Sequence, residues 1–188
     1  MWEWSNSKKS FISADKTSLL SAYASYLPKT PATRQEASGE IPSPQQMEIL
    51  IQRQITACGL KDVSLKLLDF QPLSWEKKHR YSEEQVRGRK IFLKILGYSH
   101  AELCLAAGLA ESDIDLLKQS ISPENYNVHI KTPFEFGGQP SLDNMCLVRT
   151  HPVHDNIHAL LEFQLEKNFL KHHKKLFIPQ IEGIIKYA

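Results

Sequence analysis

Long apolar runs are missing from this 188-residue chain. No segment approaches the roughly 20 residues that cross a bilayer. The opening M-W-E-W-S-N-S-K-K-S has no apolar core of signal-peptide length. The expectation is a soluble product made in a cytoplasm, with no membrane partner. Cysteine is scarce too. Cys58, Cys104 and Cys146 are odd in number, far apart, and never in a Cys-x-x-Cys pair. This argues against a disulfide scaffold and a thiolate zinc site, and fits a reducing compartment. Charge of one sign is also lacking: the net charge is +2, so global charge does not announce a nucleic-acid binder. There are no internal repeats.

The rest is ordinary globular composition, 41% hydrophobic and 23% charged, in a chain long enough to fold without staples. Positive charge is clustered locally. Trp75 to Lys94 carries Lys77, Lys78, His79, Arg80, Arg87, Arg89, Lys90 and Lys94, and the tail carries Lys167, Lys171, His172, His173, Lys174, Lys175 and Lys186. Such clusters either hold phosphates or form solvated helix faces.

Three regions are expected: a peripheral segment and linker over 1–45, a helical region over 46–120, and a C-terminal region over 121–188. Asp15 to Leu27 patterns as a helix stopped by Pro28 and Pro31, and Thr33 to Pro44 as a linker. Pro44 to Cys58 has Met47, Leu50, Ile51 and Ile55 at helical spacing before Gly59. Val63 to Phe70 is a strand or a helical turn; its period fits both. Ser82 to Leu96 is an expected helix, capped by Ser82 and ended by Gly97. Short helices follow over Ser99–Ala107 and Glu111–Ser120, broken at Gly108. That break could be a helix-turn-helix or plain packing. After Pro123, Tyr126–Lys131 is a strand, Gly137-Gly138 centres a turn, Met145–Arg149 is a second strand, and a helix runs from near Pro152 toward Phe169. The class is therefore α+β, mostly helical, with strand, turn, strand and helix in one compact C-terminal unit.

Six of the eight histidines lie from His129 onward. His154 and His158 are four apart on the expected helix, so they share a face and can grip one ion. His129 sits on the strand that such a unit folds onto that helix. Neutral imidazoles suit zinc and other borderline metals. Asn144, at the end of the turn, is the polar group this geometry would bring near. The bland alternative is solvated surface histidines.

The segment from Arg89 to Phe163 resembles the HNH endonucleases, the ββα-metal or His-Me finger group, in the form found at the C-terminal ends of bacterial toxins and effectors. The resemblance lies in S-P-E-N-Y-N-V-H-I-K-T-P-F-E-F-G-G, then S-L-D-N-M-C-L-V-R, then H-P-V-H-D-N-I-H. R-K-I-F-L-K-I-L-G-Y also looks like the helix that precedes such domains. The resemblance implies N-terminal helices followed by an HNH-like ββα-metal unit with a basic C-terminal helix. It implies phosphodiester hydrolysis, with DNA as substrate, using one divalent ion: zinc, magnesium, manganese or nickel. His154 would be a ligand and His158 a second one. Asn144 would orient the strand histidine or help hold the metal. Arg87, Arg89, Lys90, Lys131, Lys171 and Lys174 would meet the nucleic acid. An immunity or host protein would be a partner, and a specialised secretion system could deliver the chain from a bacterial cytoplasm.

One position departs from the family. The family has His-His where this chain has His129-Ile130, and the second of the pair is its general base. Counted without a gap, His129 is a metal ligand and the base is lost. A one-residue bulge before Pro133 would instead turn His129 into the base position. Three readings therefore stand: a working nuclease, a degenerate HNH-like fold kept for binding protein, nucleic acid or metal, and a helical adaptor whose histidines are incidental.

Overall fold

The structure is a computed structural model, and it describes residues 41–186. The helix expected over Asp15–Leu27 and the linker up to residue 40 lie outside the described residues. The first element, α1 (Pro44–Ala57), starts as its sequence dictates. Ser43 Oγ accepts from Gln46 N, Gln46 Oε1 accepts from Ser43 N, and Pro44 opens the first turn. Its buried face is Met47, Ile51 and Ile55, at spacing four.

Val63 to Asp69 forms β1, which settles the ambiguity of that segment in favour of a strand. The reason is tertiary. It pairs antiparallel with β4 (Lys175–Ile181), from Val63 opposite Ile181 to Asp69 opposite Lys175. The expected basic C-terminal helix is thus mostly a strand. Only α6 (Phe169–His173) is helical there, and Lys174 ends it in the left-handed region. Phe177, Ile178 and Ile181 of β4 are buried, which explains why the pairing wins over helix propensity.

The long helix α2 spans Trp75–Ser99 and begins well before Ser82. Ser74 caps it, accepting from Lys77 N, while Ser82 is exposed in the helix interior. Nor does Gly97 end it. Gly97 is buried against α4 (Glu111–Lys118), where a Cβ would lie 2.7 Å from Lys118 N, so glycine permits the close crossing. Between them lies α3 (Ala101–Ala106). The buried residues of α4, Ile114 and Leu117, pack in one cluster with Phe92, Leu93 and Leu96 of α2. The segment that could have been a helix-turn-helix therefore buries its apolar face in the core.

Next, β2 (Tyr126–Ile130) and β3 (Met145–Arg149) form an antiparallel hairpin, and β5 (Ile185–Lys186) joins β3 in parallel. The chain leaves β3 through a wide turn, Thr150–His154, and enters α5 at Asp155, running to Glu166. The helix starts later than expected, because His151 is extended. Gln164, fully buried on α5, ties the helix to β4. Its amide donates to Leu160 O and Phe177 O and accepts from Phe177 N. All polar capacity that burial would strand is thereby used.

The hairpin divides two cores. One holds Met47, Ile51, Val153, Ile157, Leu160, Phe169 and Phe177 with Cys146 and Val148. The other holds Phe92, Leu93, Leu96, Ile114 and Leu117 with Val128, Met145 and Leu147, and Ile130 packs against it. Met145, Cys146, Leu147 and Val148 are all completely buried, so β3 is covered on both faces. The result is an α+β molecule. Among the described residues, no helix is long and apolar enough to cross a membrane.

Candidate metal centre

Alternation along β2 decides what its side chains can do. Val128 pairs with Leu147 and Ile130 with Met145, all on the side of α2 and α4. His129 pairs with Cys146 and faces the other way, toward α5. The register runs unbroken from Tyr126–Arg149 to Ile130–Met145, and Lys131 N then donates to Asn144 O. No bulge intervenes before Pro133. His129 and Ile130 therefore have opposite surroundings.

The loop that closes the hairpin is held by Asn144. Its Oδ1 accepts from Thr132 N at 2.8 Å, and its Nδ2 donates to Thr132 O and Gln139 O, both at 2.9 Å. Gly138 makes this clamp possible: a Cβ there would stand 1.8 Å from Thr132 O. From outside, α2 braces the loop. Tyr81 donates to Gln139 Oε1 at 2.7 Å and meets Phe134 edge-on. Asn144 thus spends its amide on backbone and shapes the loop.

His154 and His158, one turn apart at the start of α5, meet His129 across the gap between strand and helix. Ring centroids are 5.3 Å (129–154), 5.6 Å (129–158) and 4.3 Å (154–158) apart. One nitrogen from each ring lies within 4.8 Å of the others, so the three could hold a metal ion. Nε2 of His154 and Nε2 of His158 are 3.0 Å apart. That distance calls for one N–H pointing at the other lone pair, or for a cation between two lone pairs. Two nitrogens on a tetrahedral zinc at ~2.0–2.1 Å would lie about 3.3 Å apart.

Electrostatics agree with the geometry. Burial, then the charges of His158 and His154, hold His129 well below its ordinary range. Burial pushes His158 down to about 4, with His154 adding to the effect and Asp155 opposing it. His154 is lowered by burial, with Asp155 opposing and Arg89 and His151 assisting. All three rings are neutral at pH 7, the form that coordinates a metal. Three imidazoles fit a borderline ion such as zinc or nickel better than hard magnesium, which prefers oxygen. The donor set therefore fits a divalent metal.

Two further groups stand at this cluster. Arg89, half-buried on α2, acts on His154, and its own pKa is lowered by burial. It pairs with no carboxylate among the described residues. On the other side, His151 Nδ1 contacts Asp155 Oδ2, and both act on His154. Nothing in its sequence pattern marks this pair as functional. Its only signal was H-P-V-H-D, in which His and Asp stand four apart.

The remaining expected contacts scatter. Arg87 and Lys90 are exposed on α2 beside Arg89, while Lys131 follows β2 and acts on Cys146, whose thiol burial pushes up to about 12. Lys171 and Lys174 sit at α6, beyond the far end of α5, roughly 18 Å of helix from the cluster. Searches of protein-family models, curated proteins and solved structures find no match to this chain.

Proposed function

We propose that the chain is a metal-dependent endonuclease of the HNH type, with a ββα-metal unit formed by β2, β3 and α5, hydrolysing phosphodiesters in DNA. The observation that carries this reading is the meeting of His129, His154 and His158 at one point, on the strand and helix where the HNH resemblance expects ligands. These three residues would hold one divalent ion. When bound, the ion supplies positive charge at the scissile phosphate.

The chain's own residues do the rest. Asn144 fixes the loop that follows the ligand strand. Arg89 offers a half-buried guanidinium that acts on His154 and pairs with no carboxylate among the described residues, suited to a phosphate oxygen. Arg87, Lys90 and Lys131 extend positive charge around it. Lys171 and Lys174 would contact only a substrate long enough to follow α5. Delivery as a bacterial toxin or effector belongs to the same proposal.

The test is nicking of supercoiled plasmid in Mg²⁺, Mn²⁺, Ni²⁺ or Zn²⁺, with His129→Ala abolishing it. Absence of cutting in all four metals would sink the reading.

Ile130 favours a second reading. Its side chain packs into the α2–α4 core, opposite the histidines, so the family's base is missing from its usual place. A degenerate fold that binds metal, nucleic acid or protein without hydrolysis would look the same. Metal binding measured beside cutting separates the two: a natural chain that gains thermal stability from Zn²⁺ but cuts in none of the four metals is a binding protein.

A further inference from the structure

If the site hydrolyses phosphodiesters, it needs a proton acceptor, and His129, His154 and His158 cannot serve. Their nitrogens converge on one another, with His129 buried and His154 and His158 half-buried. The other histidines are placed elsewhere. His79 stacks on Trp75 and pairs with Glu83. His100 sits at the C-terminal end of α2. His172 and His173 lie on α6, and His173 contacts Pro42 O.

His151 is different. It lies in the turn between β3 and α5, three residues before His154, with an extended backbone that lifts it from the helix. Its side chain is 75% exposed, while that of Asp155 is 31% exposed. The carboxylate meets Nδ1, which assigns the proton to Nδ1 and the free lone pair to Nε2, on a side chain that is mostly exposed. A carboxylate that fixes the tautomer of an imidazole and steadies its charged form is the orienting partner of a general base. Both residues act electrostatically on His154, and Arg89 acts on the same ring. An acceptor and a guanidinium thus accompany one ligand histidine.

We propose that His151, oriented by Asp155, is the general base of this centre, taking the place of the histidine that Ile130 displaces. This rests on the nuclease reading above. In the step, Nε2 takes one proton from water. The water oxygen forms the new P–O bond as the P–O bond to the leaving sugar oxygen breaks. The leaving oxygen takes a proton from solvent, and the imidazolium returns its proton to water. Asp155 remains a carboxylate throughout.

The experiment compares the full chain with His151→Ala and Asp155→Asn. Plasmid nicking rates are read under single-turnover conditions, beside the thermal shift produced by Zn²⁺ alone. The nitrogen shifts of ¹⁵N-histidine-labelled, Zn²⁺-loaded protein supply a readout independent of activity. Expected are a loss of ~10²–10⁴-fold in His151→Ala and an undiminished Zn²⁺ shift. Asp155→Asn should lose rate, and the fixed Nδ1–H pattern of His151 should give way to a tautomer mixture. A His151→Ala protein that cuts as fast as the natural chain would overturn the inference and leave the nuclease reading standing. An Nε2–H tautomer at His151 in the natural chain would overturn it too. If the natural chain cuts with no metal, both readings fall; if it shows the Zn²⁺ shift but cuts with none of the four metals, the inference falls and the degenerate fold stands.

Discussion

The two faces of the β2–β3 hairpin are built on different terms. Toward α2 and α4 the hairpin presents Val128, Ile130, Met145 and Leu147 to a wholly apolar cluster. Toward α5 it presents His129 beside Cys146 and Val148, and that side also buries the amide of Gln164. One face contributes mainly stability. The other tolerates buried polar groups, at a cost in desolvation, and gathers the histidines. Adjacent residues, His129 and Ile130, can therefore have unrelated roles: the pleat places them on opposite sides of the sheet.

The largest effect should come from damaging the apolar face. Leu147→Ala removes a completely buried side chain and should cost about 2–5 kcal/mol, read as a lower midpoint in urea unfolding. The metal-induced shift should persist in whatever protein remains folded. A protein of unchanged stability would mean that this core is loosely packed.

On the other face the sensitivity should be to metal. At a zinc concentration 100 times Kd, the natural chain should gain ~2.7 kcal/mol, and His158→Ala should lose nearly all of it. Calorimetric unfolding with and without Zn²⁺ measures this, and an equal gain in both proteins would rule out His158 as a ligand. The metal-free protein should also be acid-sensitive. His129 and His158 have folded-state pKa values below the ordinary 6.5, that of His158 at about 4. The unfolded chain then binds more protons in this window. Their contribution is fully present above pH 6.5 and is lost as pH falls through about 4. Stability that rises on acidification across this range would contradict the neutral cluster.

Gln164→Ala, which strands the Phe177 N–H and C=O, should cost about 1–3 kcal/mol without altering the zinc shift. The smallest change should be Ile130→Val, about 0.5–1.5 kcal/mol, again leaving the zinc shift intact. If Ile130→Val instead weakened zinc binding, the separation of the two faces would be wrong.

The sequence carried the local parts of this picture well. Alternation in Y-N-V-H-I and M-C-L-V-R gave both hairpin strands, and the spacing of His154 and His158 gave their common helical face. The unbroken register then removed the bulge that would have turned His129 around. What stayed hidden depended on distant partners. Lys175–Ile181 reads as a basic continuation of a helix until β1 is available to pair with it. Gly97 reads as a stop until Lys118 is seen to occupy the space of its missing side chain. Arg89 is one of several basic residues in sequence, and only the course of α2 across the hairpin loop singles it out. His151 was one histidine among many until Asp155 gave it an orientation.

The pairing of β1 with β4 has a consequence for how the molecule forms. Its two strands come from opposite sides of the histidine-bearing segment, so their contact closes a long loop and adds to contact order, which slows folding. A nascent chain that has emerged only as far as α5 already carries His129, His154 and His158. It lacks Phe177, the partner of Gln164, and the strand that covers the α1–α5 core. The three histidines are thus made before the scaffold that fixes them. Metal captured during synthesis would meet a flexible set of imidazoles, and the rigid centre would arise only when the last strands close over it.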